Sequence, residues 1–153
     1  MRRYSEIDNV DCFLSENNCN EEYICKYSHN NGPTLGDHNI QSQYLTVSTK
    51  NITISCKGSN NNCCILRTGE YILVLNIIQD ESKNIFLIGK KLKYVKDVYT
   101  VPCKSSDLGI KVMTVNNDKI FAWPITNLQC KAWKIPCGND PNEFAIFPLN
   151  HEI

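Results

Sequence analysis

Nine cysteines are the residues of this sequence with the most distinctive chemistry. Thiols in such number either bind metal or pair as disulfides, depending on the compartment. Structural zinc needs closely spaced ligands such as Cys-x-x-Cys, and that spacing occurs nowhere here, so we expect no metal site. We predict instead up to four disulfides in an oxidising compartment, with one thiol left over and the connectivity open; the candidates are Cys12, Cys19, Cys25, Cys56, Cys63, Cys64, Cys103, Cys130 and Cys137.

Three histidines, His29, His38 and His151, are the only histidine bases the chain offers, and none lies in a recognisable catalytic motif. Nucleophilic and acid–base catalysis need a base held beside its target. There is no Gly-x-Ser-x-Gly elbow, no glycine-rich phosphate loop and no His-Glu-x-x-His helix. We therefore expect no catalytic residues, no cofactor and no enzymatic activity. A histidine in a deep pocket with a perturbed pKa would reverse that expectation.

Short apolar runs and alternating patterns indicate strands along most of the chain. Residues 1–40 carry many breakers and are expected to form an irregular segment lying across a sheet. The surest hairpin joins 71–78 to 85–88, and a second is expected between 110–115 and 120–123. One short helix is allowed within 125–134. A single domain, 1–153, is predicted to be an all-β, two-sheet β-sandwich stabilised by disulfides, with further strands at 44–49, 51–55, 98–101 and 144–147.

Charge and targeting signals bear on partners and location. The formal net charge is +0, so the basic run around Tyr94 predicts a lysine-guarded edge strand and no nucleic-acid binding. No apolar window is long enough to cross a membrane, so no membrane insertion is expected. The N-terminal residues do not have the pattern of a signal peptide. We therefore expect this sequence to begin after a removed signal or within a longer secreted protein. Asn51-Ile52-Thr53 is a glycosylation sequon.

Three stretches carry a family resemblance: the run from Val10 to Asn20, the central hairpin, and the run from Trp123 to Cys137. Together they resemble the poxviral secreted chemokine-binding β-sandwich proteins, in particular the SECRET domain of viral tumour-necrosis-factor receptor homologues. The resemblance implies a secreted immune-evasion decoy that sequesters host chemokines and blocks their receptor-binding surface. The chain departs from acidic members in having no long acidic loop, which suggests a narrower set of ligands.

Chemokines are small and basic, so a surface that binds them needs carboxylates beside aromatic anchors. Two alternatives stay open: the same fold used as a decoy for a cytokine or an MHC class I molecule, and a structural or adhesive ectodomain that self-associates through the odd cysteine. Binding that weakens with salt would favour chemokines. The oligomeric state is not set by the sequence. The expected partner-binding residues, from the central hairpin and the strand after it, are Glu70, Tyr71, Asp80, Glu81, Tyr94, Asp97 and Tyr99.

Overall fold

The computed structural model describes residues 10–14, 22–36, 39–58, 61–115 and 119–149, the first range by its backbone only. These residues form antiparallel strands and two short 3-10 turns, Ser105–Leu108 and Ile125–Asn127, which confirms the all-β prediction. The strands are β1 Val10–Leu14, β2 Glu22–His29, β3 Ile40–Ser48, β4 Thr53–Ser55, β5 Cys63–Leu66, β6 Tyr71–Asp80, β7 Ile85–Asp97, β8 Lys111–Val115, β9 Phe121–Pro124, β10 Leu128–Pro136 and β11 Glu143–Leu149.

The hairpin of β6 and β7 is the centre of the fold, as its apolar sequence predicts. Side chains on both faces of β6 are buried, because the strand has a core on each side. Asp80 closes the turn: its Oδ1 accepts the backbone N–H of Asn84 at 2.9 Å. Lys83 takes the left-handed conformation there, with a φ of 70°. An aspartate that bonds nearby backbone donors is a common way to fix such a turn.

Six strands close into a ring around one of the two cores. In order, β6 pairs with β5, β5 with β10, β10 with β11, β11 with β8, β8 with β7, and β7 with β6 again. Each of these strands contributes a side chain to the core inside the ring, which contains Ile65, Leu73, Leu92, Met113, Ala132 and Ile146. Closure pairs both edges of these strands and so removes exposed edges.

The second core lies outside the ring. There β2, β3 and β4 pack against the outward side chains of β5, β6 and β7, with Ile54, Ile77 and Leu87 fully buried. Because successive strand residues point to opposite faces, Cys63 belongs to the core inside the ring and its neighbour Cys64 to the outer core. The two cores make the fold sandwich-like, although hydrogen bonds connect all eleven strands into one sheet.

Two local predictions, the second hairpin and the strand at 98–101, were wrong, and two others were confirmed only in part. β8 pairs with residues 92–97 of β7, and β9 pairs with residues 86–89 of the same strand. β8 and β9 therefore lie one after the other along β7, and the expected second hairpin does not form. Residues 98–101 are bends and loop instead of a strand. The helix allowed within 125–134 is a 3-10 turn followed by β10. Within 1–40, β1 and β2 are strands of the sheet, whereas 30–36 is irregular as expected.

The disulfide prediction is corrected for the described cysteines. Cys25, Cys56, Cys63, Cys64, Cys103, Cys130 and Cys137 are all free thiols. Most of them pack as small apolar side chains, because the strands carry them into one core or the other. Sequence spacing cannot separate a packing cysteine from a bridging one. The Cys12 side chain and Cys19 lie outside the described residues.

Burial predicts which thiols react. It raises the pKa of Cys56 and of Cys63 to about 12, and that of Cys64 well above its usual value. The thiolate is the reactive species, so iodoacetamide at mildly alkaline pH should label the exposed Cys103 in the native chain well before these three. Peptide mapping by mass spectrometry measures the order. In urea all seven should react, and any that stay unlabelled there without reductant would show a disulfide.

Candidate protein-binding surface

Large apolar side chains are exposed mainly at one end of the ring, where β7 leaves the sheet. Six of the nine such side chains in the described residues fall between positions 94 and 108. Val101 is 82% exposed and Leu108 is 59% exposed, which is unusual for aliphatic side chains within one short loop. We call these six side chains the 94–108 surface: Tyr94, Val95, Val98, Tyr99, Val101 and Leu108.

Local irregularities turn the chain out of the sheet at this point. The register between β7 and β8 shifts between Tyr94 and Lys96, and such a bulge bends a strand and re-aims its side chains. The Val101–Pro102 peptide bond is cis. The 3-10 turn then ends at Gly109, whose φ of 80° is left-handed and favours glycine. Residues 98–110 therefore connect β7 to β8 without pairing in the sheet.

A network of hydrogen bonds around Asp97 holds this loop in place. The carboxylate accepts the backbone N–H of Ser106 at 2.7 Å, the Ser105 hydroxyl at 3.4 Å and the Tyr94 hydroxyl at 3.2 Å. The Ser105 Oγ, fully buried, accepts the backbone N–H of Val98 at 2.8 Å. Both ends of the loop are thus joined to one carboxylate, so the exposed apolar side chains are presented on a fixed backbone.

The protonation state of Asp97 keeps the network intact near neutral pH. Hydrogen bonds from Ser106 lower the pKa of the Asp97 carboxyl below its usual value, and those from Tyr94 and Ser105 act in the same direction. A carboxyl whose pKa is lowered by folding stabilises the fold above its unfolded pKa, and loses that effect as pH falls through the folded value. The carboxylate is therefore expected to hold the loop at physiological pH, and this contribution should be lost as pH falls through the lowered pKa of Asp97.

The underside of the loop is attached to the ring. The buried Tyr71 donates its hydroxyl hydrogen to the carbonyl oxygen of Gly109 at 2.7 Å. A Cβ at Gly109 would lie 2.9 Å from Cγ of Pro148, so the loop approaches β11 closely as well. Lys111 places its Nζ 4.7 Å from the centre of the Tyr71 ring. These contacts leave the loop little freedom to fold its apolar side chains inward.

Lysines surround the apolar side chains. Lys93, Lys96 and Lys104 are exposed, and their side-chain ammonium groups have no hydrogen bond or ion pair within the part of the chain that the structure describes. Residues 93–108 hold three lysines and two aspartates, 3 − 2 = +1, and residues 90–111 hold six lysines and two aspartates, 6 − 2 = +4. The surface is therefore apolar with a basic border.

The predicted partner-binding residues separate into three groups. Tyr94, Asp97 and Tyr99 lie on the 94–108 surface. Tyr71 is buried beneath it, and Glu70 pairs with Lys91 at 3.0 Å. The remaining two, Asp80 and Glu81, lie at the opposite end of β6, roughly 30 Å from Tyr71 at the usual rise per strand residue. The seven do not form one acidic face.

Sequence reasoning missed the aliphatic members of the surface. The sequence pattern predicts a strand that includes Val98 and Val101, in which half of the side chains would be buried. It indicates no role for Leu108. The available signal was the sequence Val101-Pro102-Cys103-Lys104-Ser105-Ser106, in which a proline and two serines interrupt any strand. A valine next to such a breaker is a candidate for an exposed loop position.

Four other expectations concern the glycosylation sequon, the histidines, metal binding and membrane insertion. Asn51 is exposed in the turn between β3 and β4, so its sequon is accessible and glycosylation stays a prediction. His29 bonds through Nδ1 with Asn31, and its buried Nε2 has no partner; the other two histidines lie outside the described residues. Over the described ranges, no three metal-binding side chains are grouped to hold an ion, and no helix is both long and apolar enough to span a bilayer.

Comparison with known proteins gives one match. No curated protein matches the chain. No solved structure matches it either. One family model, described as "Domain of unknown function (DUF8592)", matches residues 28–149, a range that begins within β2 and includes the 94–108 surface. Because this match spans most of the sequence, the chain belongs to the DUF8592 family.

Proposed function

We propose that the domain is a non-catalytic binding module that docks another protein through the 94–108 surface. The observation that carries the proposal is the concentration of exposed apolar side chains there, on one loop held by hydrogen bonds to Asp97 and Ser105. Contiguous exposed apolar groups commonly mark interaction sites. Tyrosines are enriched among residues that dominate binding. A fixed loop also loses little conformational entropy on docking, which favours affinity.

Two observations bear on the identity of the partner: the family resemblance and the charge of the 94–108 surface. The resemblance to chemokine-binding domains suggests secretion and capture of chemokines, and both stay predictions. A small basic protein would meet Lys93, Lys96 and Lys104 at this surface, and like charges across an interface oppose binding. Capture of chemokines would therefore need another face of the domain. A cytokine, an MHC class I molecule or an adhesive partner with apolar anchors remains compatible with the 94–108 surface.

Selection of peptides from a random library against the folded chain tests the proposal. We expect the selected peptides to bind the wild type and to lose at least about tenfold in affinity with a variant carrying Tyr99→Ser, Val101→Ser and Leu108→Ser, since removal of central apolar anchors typically costs 1–2 kcal/mol or more. These side chains are exposed, so the variant should fold. Isothermal titration gives the affinities, and circular dichroism checks the fold.

A matched control removes apolar side chains that are equally exposed elsewhere. Tyr27, Trp133 and Ile135 are 51%, 56% and 46% exposed and lie on β2 and β10. Their replacement by serine should leave the affinity of the selected peptides within about twofold, as expected for residues outside a hot spot. If this control variant loses binding while the 94–108 variant keeps it, the docking surface has been assigned to the wrong side of the domain.

A further inference from the structure

We infer that the segment docking on the 94–108 surface is acidic as well as apolar. The inference rests on the proposed function and adds the chemistry of the partner. Lysines border the apolar side chains, and the sign of their charge is the reverse of the one expected for a surface that binds basic proteins. Charged residues at an interface select partners mainly by complementary sign, so this border specifies carboxylates.

The positive charge is available to a ligand because two of the three neighbouring carboxylates, Glu70 and Asp97 but not Asp107, are already occupied. Glu70, immediately before β6, pairs with Lys91 at 3.0 Å. Asp97 accepts hydrogen bonds from its own loop and is committed to holding it. By contrast, the ammonium groups of the exposed Lys93, Lys96 and Lys104 have no partner in the described part of the chain. The charge left for an incoming ligand is therefore positive.

The register places these lysines at the two sides of the apolar loop. Lys93 pairs with Thr114, and Lys96 with Val112, along the boundary of β7 and β8. Lys104 lies beyond the cis peptide bond, immediately before the 3-10 turn. A docked segment with alternating acidic and apolar side chains can place its apolar groups on Tyr99, Val101 and Leu108 and its carboxylates at the lysines on either side.

An anionic membrane would also attract a loop with aliphatic and lysine side chains. Asp107 argues for a protein instead. It is exposed and adjacent to Leu108, so a loop inserting Leu108 into lipid would carry this carboxylate into the anionic headgroup layer. A protein partner can place a donor opposite Asp107, which a uniformly anionic surface cannot do. We therefore assign the surface to an acidic protein segment.

The test is a titration of the isotopically labelled full chain, followed by NMR. One peptide alternates glutamate with leucine and tyrosine, and two counterparts replace its glutamates by glutamine or by lysine. We expect the glutamate peptide to shift the amide signals of residues 93–108 and to bind about tenfold more tightly than the glutamine peptide at low salt, with a smaller difference at physiological salt. Lys93→Glu with Lys96→Glu and Lys104→Glu should abolish that difference.

The control variant makes the same change in net charge elsewhere, through Lys50→Glu, Lys57→Glu and Lys83→Glu, and should keep the preference for glutamate. Equal binding of the glutamine peptide at residues 93–108 would overturn the acidic assignment and leave the proposed function standing. Preference for the lysine peptide, or stronger shifts with anionic phosphatidylserine vesicles than with any peptide, would likewise overturn it. If no peptide shifts these signals, both the inference and the proposed function fail.

Discussion

The Gly89→Ala variant is expected to lose about 3–5 kcal/mol of its free energy of unfolding, a large part of the stability of an ordinary domain. Gly89 lies in β7, opposite Val74 of β6 in the central hairpin. A Cβ at this position would overlap the carbonyl oxygen of Leu73 and lie 2.9 Å from its carbonyl carbon and 3.1 Å from Cα of Val74. These are backbone atoms, and they cannot rotate away as a flexible side chain could.

The close approach coincides with a shift in the register of the hairpin between Val74 and Asn76. Separating the two strands at Gly89 would disturb both cores, because β6 supplies side chains to each. Urea unfolding followed by circular dichroism measures the loss. Gly58→Ala is the matched control, since a Cβ there meets no atom of the described residues within 4 Å, and its unfolding free energy should change by less than about 1 kcal/mol. Equal losses in the two variants would contradict the steric explanation.

The central hairpin could be predicted because its signals are local. An apolar strand, a polar turn and a second apolar strand specify β6 and β7 without reference to the rest of the chain. The ring could not be predicted in this way. It depends on β5, a run of four residues with two cysteines, and on β10, whose sequence was compatible with a short helix. Both strands are defined by pairing with distant partners, which local periodicity does not contain.

The 94–108 surface likewise has features that could be predicted from the sequence and features that could not. Tyr94 and Asp97 lie in the last residues of β7 and Tyr99 follows that strand, so their common position near its end could be predicted from their place in the sequence. Their roles were not predictable. The sequence predicts Asp97 to be a partner contact, but in the structure its carboxylate accepts hydrogen bonds from Ser105 and Ser106. That role is set by the three-dimensional course of the loop. The exposure of the apolar side chains depends on that course as well, whereas the basic run around Tyr94 could be recognised in the sequence.

Asn76→Asp is the second variant with a large expected effect, since Asn76 is fully buried in β6. Its Nδ2 donates to the carbonyl oxygen of Pro33 and to Oε1 of Gln43, both at 2.9 Å. Its Oδ1 accepts the backbone N–H of Ile77 at 2.9 Å. An aspartate would place a carboxylate oxygen against two acceptors. We expect a loss of about 3–5 kcal/mol near neutral pH, the usual cost of an uncompensated buried charge.

The pH dependence of this loss distinguishes charge from packing. Burial beside acceptors raises the pKa of the introduced carboxyl at position 76, because the neutral form can donate one hydrogen bond and the ionised form none. The variant should therefore differ least from the wild type below the unfolded pKa of the carboxyl, about 3.9, and the difference should grow from there until pH exceeds the raised folded pKa. Urea unfolding of both proteins at about pH 4 and pH 7 measures this, with the exposed Asn61→Asp as the control, expected to stay within about 0.5 kcal/mol. A deficit that is the same at both pH values would mean that lost hydrogen bonds, and not the buried charge, destabilise the variant.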